Sequence, residues 1–358
     1  MRKRVTVVYN EPEPSKYDKA HEEKAVAGVL ESVTAVEKSL NELGYETSLL
    51  PLVLPLDKAV KKLEELKADV VFNLFEGFCG LPETEVFVPE VLSRLGIPYT
   101  GCGPEVLRLA LDKAVVKTIL TKAGITTPDY QILDPGSLHS FSLEFPCIVK
   151  PRAEDASHGI SVNSLVRDYA ELKRQVSEAC KTYKSVLVEH FVGGREFNAT
   201  VMGNSRCVVL PVSEIVYELP PDMPRILTFA AKWETRSRYY KGTKVACPAG
   251  VNENERNNIA GTALAAFRLL VKRGYARVDM RMDEAGKLNV IEVNPNPDIS
   301  PEAGAARQSA AAGMSYTQFI EKILKLAVTR GKNGRKNPPD VPGRQTGTDA
   351  DTREYARI

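Results

Sequence analysis

Residues 277–282 read RVDMRM, a turn at Gly286 follows, and residues 289–297 read NVIEVNPNP. Both runs alternate as strands do, so Arg277 and Asp279 share one face, and Glu292 and Asn294 share a face of the next strand. If the two strands pair, three oxygen-bearing side chains converge beside an arginine. Carboxylate and amide oxygens suit Mg²⁺ held together with a nucleotide's phosphates, and two ions sharing Glu292 would neutralise developing charge. The bland alternative is a row of cross-strand surface polars. An apolar strand that ends in Glu and Asn before a Pro-rich loop makes it less attractive.

Outward from this pair, the N-terminal third carries the rhythm of an α/β domain with a parallel sheet. Strand-like 4–9, helical 20–43, strand-like 47–54, helical 56–66 and strand-like 69–74 follow one another, then a strand at 97–100 runs into Gly101-Cys102-Gly103-Pro104. After 104 the order changes. A helix is expected over 105–123, a strand at 146–150 (PCIVK), a helix over 165–179, a strand at 185–191, an antiparallel hairpin of 196–202 with 207–212, and a closing helix at 316–328. The expected division is an α/β unit at 1–104, a small central unit at 105–184 and a larger sheet unit at 185–330. Residues 331–358, rich in Gly, Pro and charge, read as a loosely ordered tail.

Composition narrows the function classes. The 358 residues are 43% hydrophobic and 26% charged, enough for real cores. Lys and Arg number 48 against 46 Asp and Glu, a net charge of +2 that gives no support to nucleic-acid binding through bulk charge. Six scattered cysteines form neither a disulfide framework nor a C-x-x-C pair. No apolar run reaches a membrane span, and the basic start makes a poor signal peptide, so a cytoplasmic location is expected.

Further candidates are individually weaker. Lys150, ending the strand PCIVK, and Lys113, early in a helix, suit phosphates; alone, each reads as a solvated lysine. Residues 152–160 (RAEDASHGI) are small and polar enough to cover phosphates with backbone N–H groups, although the terminal G-K-[ST] of a P-loop is absent. His158, inside that stretch, is a substrate contact or a surface histidine. Glu189 and Glu196 bracket an HFVGGR turn and could take an adenine amine and a ribose hydroxyl; two exposed glutamates read equally well. Lys232, beside the single tryptophan Trp233, is a γ-phosphate contact or part of a packed surface pair.

In order and spacing, these pieces resemble the D-alanine–D-alanine ligase family of the ATP-grasp superfamily over roughly residues 1–328. The resemblance rests on 99–103 (YTGCG) through Asp112-Lys113, Lys150-Pro151, 194–197 (GREF), 247–249 (CPA), 277–279 (RVD) and 292–294 (EVN), with 306–316 matching the closing helices. It implies a three-domain α/β ATP-grasp ligase with its nucleotide cleft between the central and C-terminal domains. Lys113, Lys150 and Lys232 would hold ATP phosphates, Glu189 and Val192 the adenine end, and Glu196 the ribose. Asp279, Glu292 and Asn294 would ligate two Mg²⁺, with Mn²⁺ as an alternative ion, and Arg277 would steady the acyl phosphate. The implied reaction joins a small carboxylate to an amine, with amino acids or peptides as the implied substrate class, releasing ADP and phosphate. Neither nucleic acid nor membrane would take part, and a homodimer is the assembly the family suggests.

The departures from the family lie on the substrate side. The N-terminal loop is rewritten, Ala156 and Trp233 replace a serine and a tyrosine, Glu76 stands near a histidine's place, and Asp298 takes the place of the oxyanion-site glycine. Together they lead to the expectation of a substrate pair other than two D-alanines, with Glu76, Glu83 and Glu85 favouring a cationic one. Genuine D-alanine–D-alanine ligation is the nearest rival, and a non-catalytic nucleotide-binding scaffold is the alternative of another class.

Overall fold

A computed structural model of the chain describes residues 3–11, 28–154 and 157–333. Most of the N-terminal loop lies outside these residues, as do Ala156 and the expected tail from 334 onward.

The first unit contains strands β1 (Arg4–Asn10), β2 (Glu46–Leu52) and β3 (Val70–Leu74) and helices α1 (Val29–Glu42), α2 (Leu56–Glu64) and α3 (Phe87–Leu95). The strands form a parallel sheet in the order β2-β1-β3. All five residues of β3 are buried, Asn73 among the four apolar ones, as a strand covered on both faces requires. In α1, Val29, Val33, Val36 and Leu40 recur at helical spacing and are buried. They share one core with Val5, Val7 and Phe72 and with Phe319, Ile320 and Ile323 from the other end of the chain. The strand expected at 97–100 reduces to a single bridge, Val71 to Tyr99, because the chain turns away at Gly101 into the next helix.

The helix expected over 105–123 is two helices, α4 (Pro104–Leu111) and α5 (Lys113–Lys122). Asp112 sits between them in an extended conformation and caps α5, accepting hydrogen bonds from the backbone N–H groups of Ala114 and Val115 at 3.1 and 3.3 Å. The cap sets Lys113 at the first turn of α5. Strands β4 (Tyr130–Leu133), β5 (Cys147–Pro151), β6 (Leu165–Val166) and β7 (Val186–His190) form an antiparallel sheet in the order β4-β7-β5-β6, covered by α6 (Tyr169–Ala179). The helix expected from 165 starts later, because Leu165 and Val166 pair with β5 and Asp168 caps the first turn. Since β7 pairs with β4 and β5, the central sheet continues past the boundary expected at 184.

The last unit holds β8 (Glu196–Gly203), β9 (Cys207–Val209), β10 (Ser213–Tyr217), two short helices α7 (Phe229–Trp233) and α8 (Arg238–Gly242), β11 (Thr243–Ala246), α9 (Glu253–Leu270), β12 (Gly274–Met282), β13 (Leu288–Pro295), α10 (Gly304–Ala311) and α11 (Tyr316–Asn333). Its antiparallel sheet runs β11-β10-β8-β12-β13, with β9 beside β8. The expected 196–202 hairpin is present as β8 and β9. Helix α11 continues to Asn333, beyond both the expected helix end and the 330 boundary. All six cysteines are free, and among the described residues no helix is long and apolar enough to cross a membrane.

Candidate active site

Strands β12 and β13 pair antiparallel, with Asp279 opposite Glu292 and Arg277 opposite Asn294. The guanidinium of Arg277 grips Asp279 in a two-toothed pair, Nε to Oδ1 and Nη2 to Oδ2, both at 2.7 Å. Asn294 Nδ2 donates to Asp279 Oδ2 at 2.9 Å, which leaves the amide oxygen pointing elsewhere as an acceptor. Asn198, opposite Asp279 on β8, donates to Asp279 Oδ1 at 2.7 Å. Asn198 was not among the sequence candidates. Its signal was available in the alternation of β8, which puts Glu196 and Asn198 on one face.

Lys113 contacts Glu292, and the charges of Lys150 and Lys232 act on the same carboxyl. Lys113 Nζ lies 2.9 Å from Glu292 Oε1. Burial pushes the Glu292 carboxyl up, but Lys113 and the charges of Lys150 and Lys232 prevail and hold it below the usual carboxylate range. Lys232 sits on α7, whose first turn Thr228 caps through Ala231 N. Its ammonium is pulled below the ordinary lysine value by burial and then by the charge of Arg277, against the opposing charges of Asp279, Glu292 and Glu196. These influences place Lys113, Lys150, Lys232, Arg277, Asp279 and Glu292 within one electrostatic cluster.

Glu189 is buried, and it bridges two lysines. Lys150 bonds to its Oε1, and Lys117 lies 2.8 Å from its Oε2. Burial raises the Glu189 carboxyl, but the two ammonium groups outweigh it and bring it to about 2. In this structure both oxygens of the carboxylate expected at the adenine amine meet lysines. Lys117, one helical turn after Lys113 on α5, was missed because it lies within the apolar-looking run AVVKTIL.

Glu196 accepts from Tyr217 Oη at 2.6 Å and lies 3.6 Å from Arg281, its register partner. Val192 is buried just beyond β7. The 152–160 stretch is tied to the cleft at its start: Lys113 donates to the Glu154 carbonyl, and Arg152 pairs with Asp112 at 2.5 Å. At its end, Phe229 N donates to Ile160 O at 3.2 Å. His158 is buried and stacks on Phe229 with ring centroids 5.5 Å apart, which packs this stretch against α7.

Glu76 and Asp298 line a second cavity between the first and last units, together with Glu85, Asn73, Tyr275 and Asn296. Both carboxylates are exposed within it. Asp298 accepts from Ser300 N at 2.8 Å and from Ser300 Oγ at 3.1 Å, which fixes its direction. The residue as a whole is open to solvent, but the cavity walls strip water from the Glu76 carboxyl, and this desolvation followed by the charge of Asp298 pushes it up to about 8.

Among the described residues, no group of three or more His, Cys, Asp or Glu is arranged to hold a metal. The oxygen set of Asp279, Glu292 and the Asn294 amide is nevertheless the hard-donor chemistry that suits a divalent ion shared with phosphates.

Comparison with known proteins bears on the whole arrangement. The family model described as D-ala D-ala ligase C-terminus matches residues 119–325. A D-alanine–D-alanine ligase of Desulforudis audaxviator is 32% identical over 84% of this chain and 94% of its own length. An uncharacterized protein of Sinorhizobium fredii is 33% identical over 83% of this chain and 87% of its own. The crystal structure of D-alanine–D-alanine ligase from Bacillus anthracis superposes with a TM-score of 0.71 at 21% identity, covering 93% of this chain and all of that one, which shows the fold. Fold and sequence thus agree: the chain belongs to the D-alanine–D-alanine ligase family, ATP-dependent carbon–nitrogen ligases of the ATP-grasp fold that form an amide bond through an acyl phosphate.

Proposed function

We propose that the chain condenses two small amino acids into a dipeptide, and that D-alanine with D-alanine is the pair. The observation that carries the chemistry is the contact of Lys113 with Glu292 opposite the Arg277–Asp279 pair, with the charges of Lys150 and Lys232 acting on the same carboxyl. The pair of substrates is drawn from relatives named for it, at about 30% identity and over most of both chains. They outweigh the expectation of a different pair raised by the departures at Glu76 and Asp298.

ATP supplies the phosphoryl group that turns a carboxylate oxygen, otherwise a poor leaving group, into phosphate. Lys113, Lys150 and Lys232 would bind and orient the transferring phosphates, with Val192 at the adenine end and Glu196 at the ribose. Asp279, Glu292 and Asn294 would hold Mg²⁺, which supplies charge neutralisation when bound. Arg277, locked in place by Asp279, is preorganised to steady the negative oxygen that develops as the amine attacks the acyl carbon and phosphate leaves. The stretch from 152 to 160, tied at both ends to the cleft walls, would shield the acyl phosphate from water. The reading keeps the division expected at about 104, 184 and 330, with the second boundary moved to about 191 to keep β7 with its partners β4 and β5, and includes assembly as a homodimer.

A second reading has its own observation. The cavity lined by Glu76, Glu85 and Asp298 is acidic and suits an amine-rich partner in place of one D-alanine. ADP release with D-alanine alone as substrate separates the two. Robust turnover with a dipeptide product supports the D-alanine pair. Turnover that appears only with a different amine supports the second reading. Asp279→Asn must abolish the signal in either case; unchanged release from that variant would trace the activity to a contaminant.

A further inference from the structure

Lys117 is the least exposed charged residue among those described, at 1%, and the reaction makes no direct use of it. Its ammonium meets Thr127 Oγ1 at 2.7 Å, the Pro128 carbonyl at 3.3 Å and Glu189 Oε2 at 2.8 Å. Burying an ammonium this deeply is costly, and a structural cross-link between α5 and β7 could be made by apolar side chains at less expense. What an apolar pair could not do is hold a carboxylate in place. Glu189 has two oxygens: Lys117 takes one and Lys150 the other. Lys150 lies on β5, where Ile148 is the register partner of Glu189, so Lys150 reaches Glu189 along the diagonal of the sheet.

We infer that Lys117 is a positioning residue for nucleotide binding that acts through Glu189. It anchors the Glu189 carboxylate and shares its charge, so that Lys150, bonded to the other oxygen, is held less tightly than by an otherwise uncompensated buried anion and can turn to a phosphate. The inference rests on the reading of Lys150 as a phosphate ligand. With Lys117 removed, Lys150 is the only counter-ion left to Glu189 among the described residues. The pair then tightens, and Lys150 is withdrawn from a phosphate. Neutralising Glu189 as well removes the captor.

The test is calorimetric titration of the full-length protein with MgADP, using Lys117→Met, Glu189→Gln and the double variant. Lys117→Met is expected to weaken ADP binding by roughly tenfold, the worth of one charge-assisted contact. In turnover it raises the KM for ATP with little change in kcat. On the Glu189→Gln background, the same Lys117→Met change is expected to alter the ADP dissociation constant by less than about twofold, as independence from the carboxylate requires. This second comparison stands even if Lys117→Met alone does not fold, because the double variant is free of buried charge at both positions. A tenfold loss on the Gln background, unchanged affinity in a folded Lys117→Met, or a double variant that fails to fold while Glu189→Gln folds would each overturn the inference. Wild-type protein that takes up no ADP would instead sink the reading of the cleft itself.

Discussion

Lys113 Nζ and Glu292 Oε1 stand 2.9 Å apart, so a lysine suited to phosphate is bound to a carboxylate suited to the metal. Each group must release the other before it can meet its own ligand. Metal and nucleotide binding are coupled by this exchange: an ion that takes Glu292 frees Lys113, and a phosphate that takes Lys113 frees Glu292. The expected outcome is that ADP binds more tightly with Mg²⁺ than without it, by about 1–3 kcal/mol. Glu292→Gln should reduce turnover by two orders of magnitude or so while strengthening metal-free ADP binding. Calorimetry with and without EDTA measures the second effect, and weaker metal-free binding by Glu292→Gln would refute the exchange.

Glu189 governs acid stability. Its carboxyl is held at about 2 in the folded protein, well under the ordinary 4.5, by Lys117 and Lys150 acting against burial. A depressed folded value means the unfolded chain binds the proton first. The stabilisation is therefore complete above about pH 4.5 and is lost as the pH falls towards 2. The shift corresponds to about 3 kcal/mol. Urea midpoints measured across this window should fall more steeply for wild type than for Glu189→Gln; parallel curves would show that the ammonium groups do not control the carboxylate.

Gly194 belongs to the turn between β7 and β8. A Cβ built there would fall inside the van der Waals envelope of the Met282 carbonyl oxygen at the end of β12. The obstacle is backbone, which cannot swing aside as a side chain could, and Arg281 Nη2 also donates to the Gly194 carbonyl at 3.2 Å. Gly194→Ala is expected to destabilise the protein by about 1–3 kcal/mol, visible as a lower thermal midpoint. Gly44, which has open space around the same position, is a control for steric clash, with the strain of its positive φ as the remaining cost.

Alternation and helical periodicity made much of this fold legible. The β12–β13 pair stood out because RVDMRM and NVIEVNPNP put chemistry on one face of each strand, and the register set Asp279 opposite Glu292. What escaped was set by contacts distant in sequence. Asp112 reads as one residue of a continuous helix until its carboxylate is seen capping α5 and pairing with Arg152. Leu165 and Val166 look like a helix start until β5 claims them. Lys117 hides in an apolar run because its partner, Glu189, arrives seventy-two residues later. His158, polar and set among small residues, reads as a substrate contact or a surface histidine; its burial against Phe229 came from a residue seventy-one positions on.

Glu76 offers a titration that reports on the second cavity. Desolvation within the cleft and then the charge of Asp298 bring its carboxyl up to about 8, so it carries a proton at neutral pH. The folded protein then holds this proton over a range where the unfolded chain has lost it. Glu76 consequently subtracts from stability as the pH rises from about 4.5 to about 8. Asp298→Asn removes one of the two causes and should lower the Glu76 value, leaving desolvation as the remaining one. The carboxyl carbon resonance of Glu76, followed by ¹³C NMR and assigned by its loss in Glu76→Gln, gives the value directly. A midpoint near 4.5 in the wild type would mean that the cavity is too well hydrated to hold the proton. A midpoint that stays near 8 in Asp298→Asn would mean that the two carboxylates do not sense each other. An amine drawn into the cavity should release the proton, so the same resonance, titrated with candidate amines at pH 7, registers which of them binds beside Glu76.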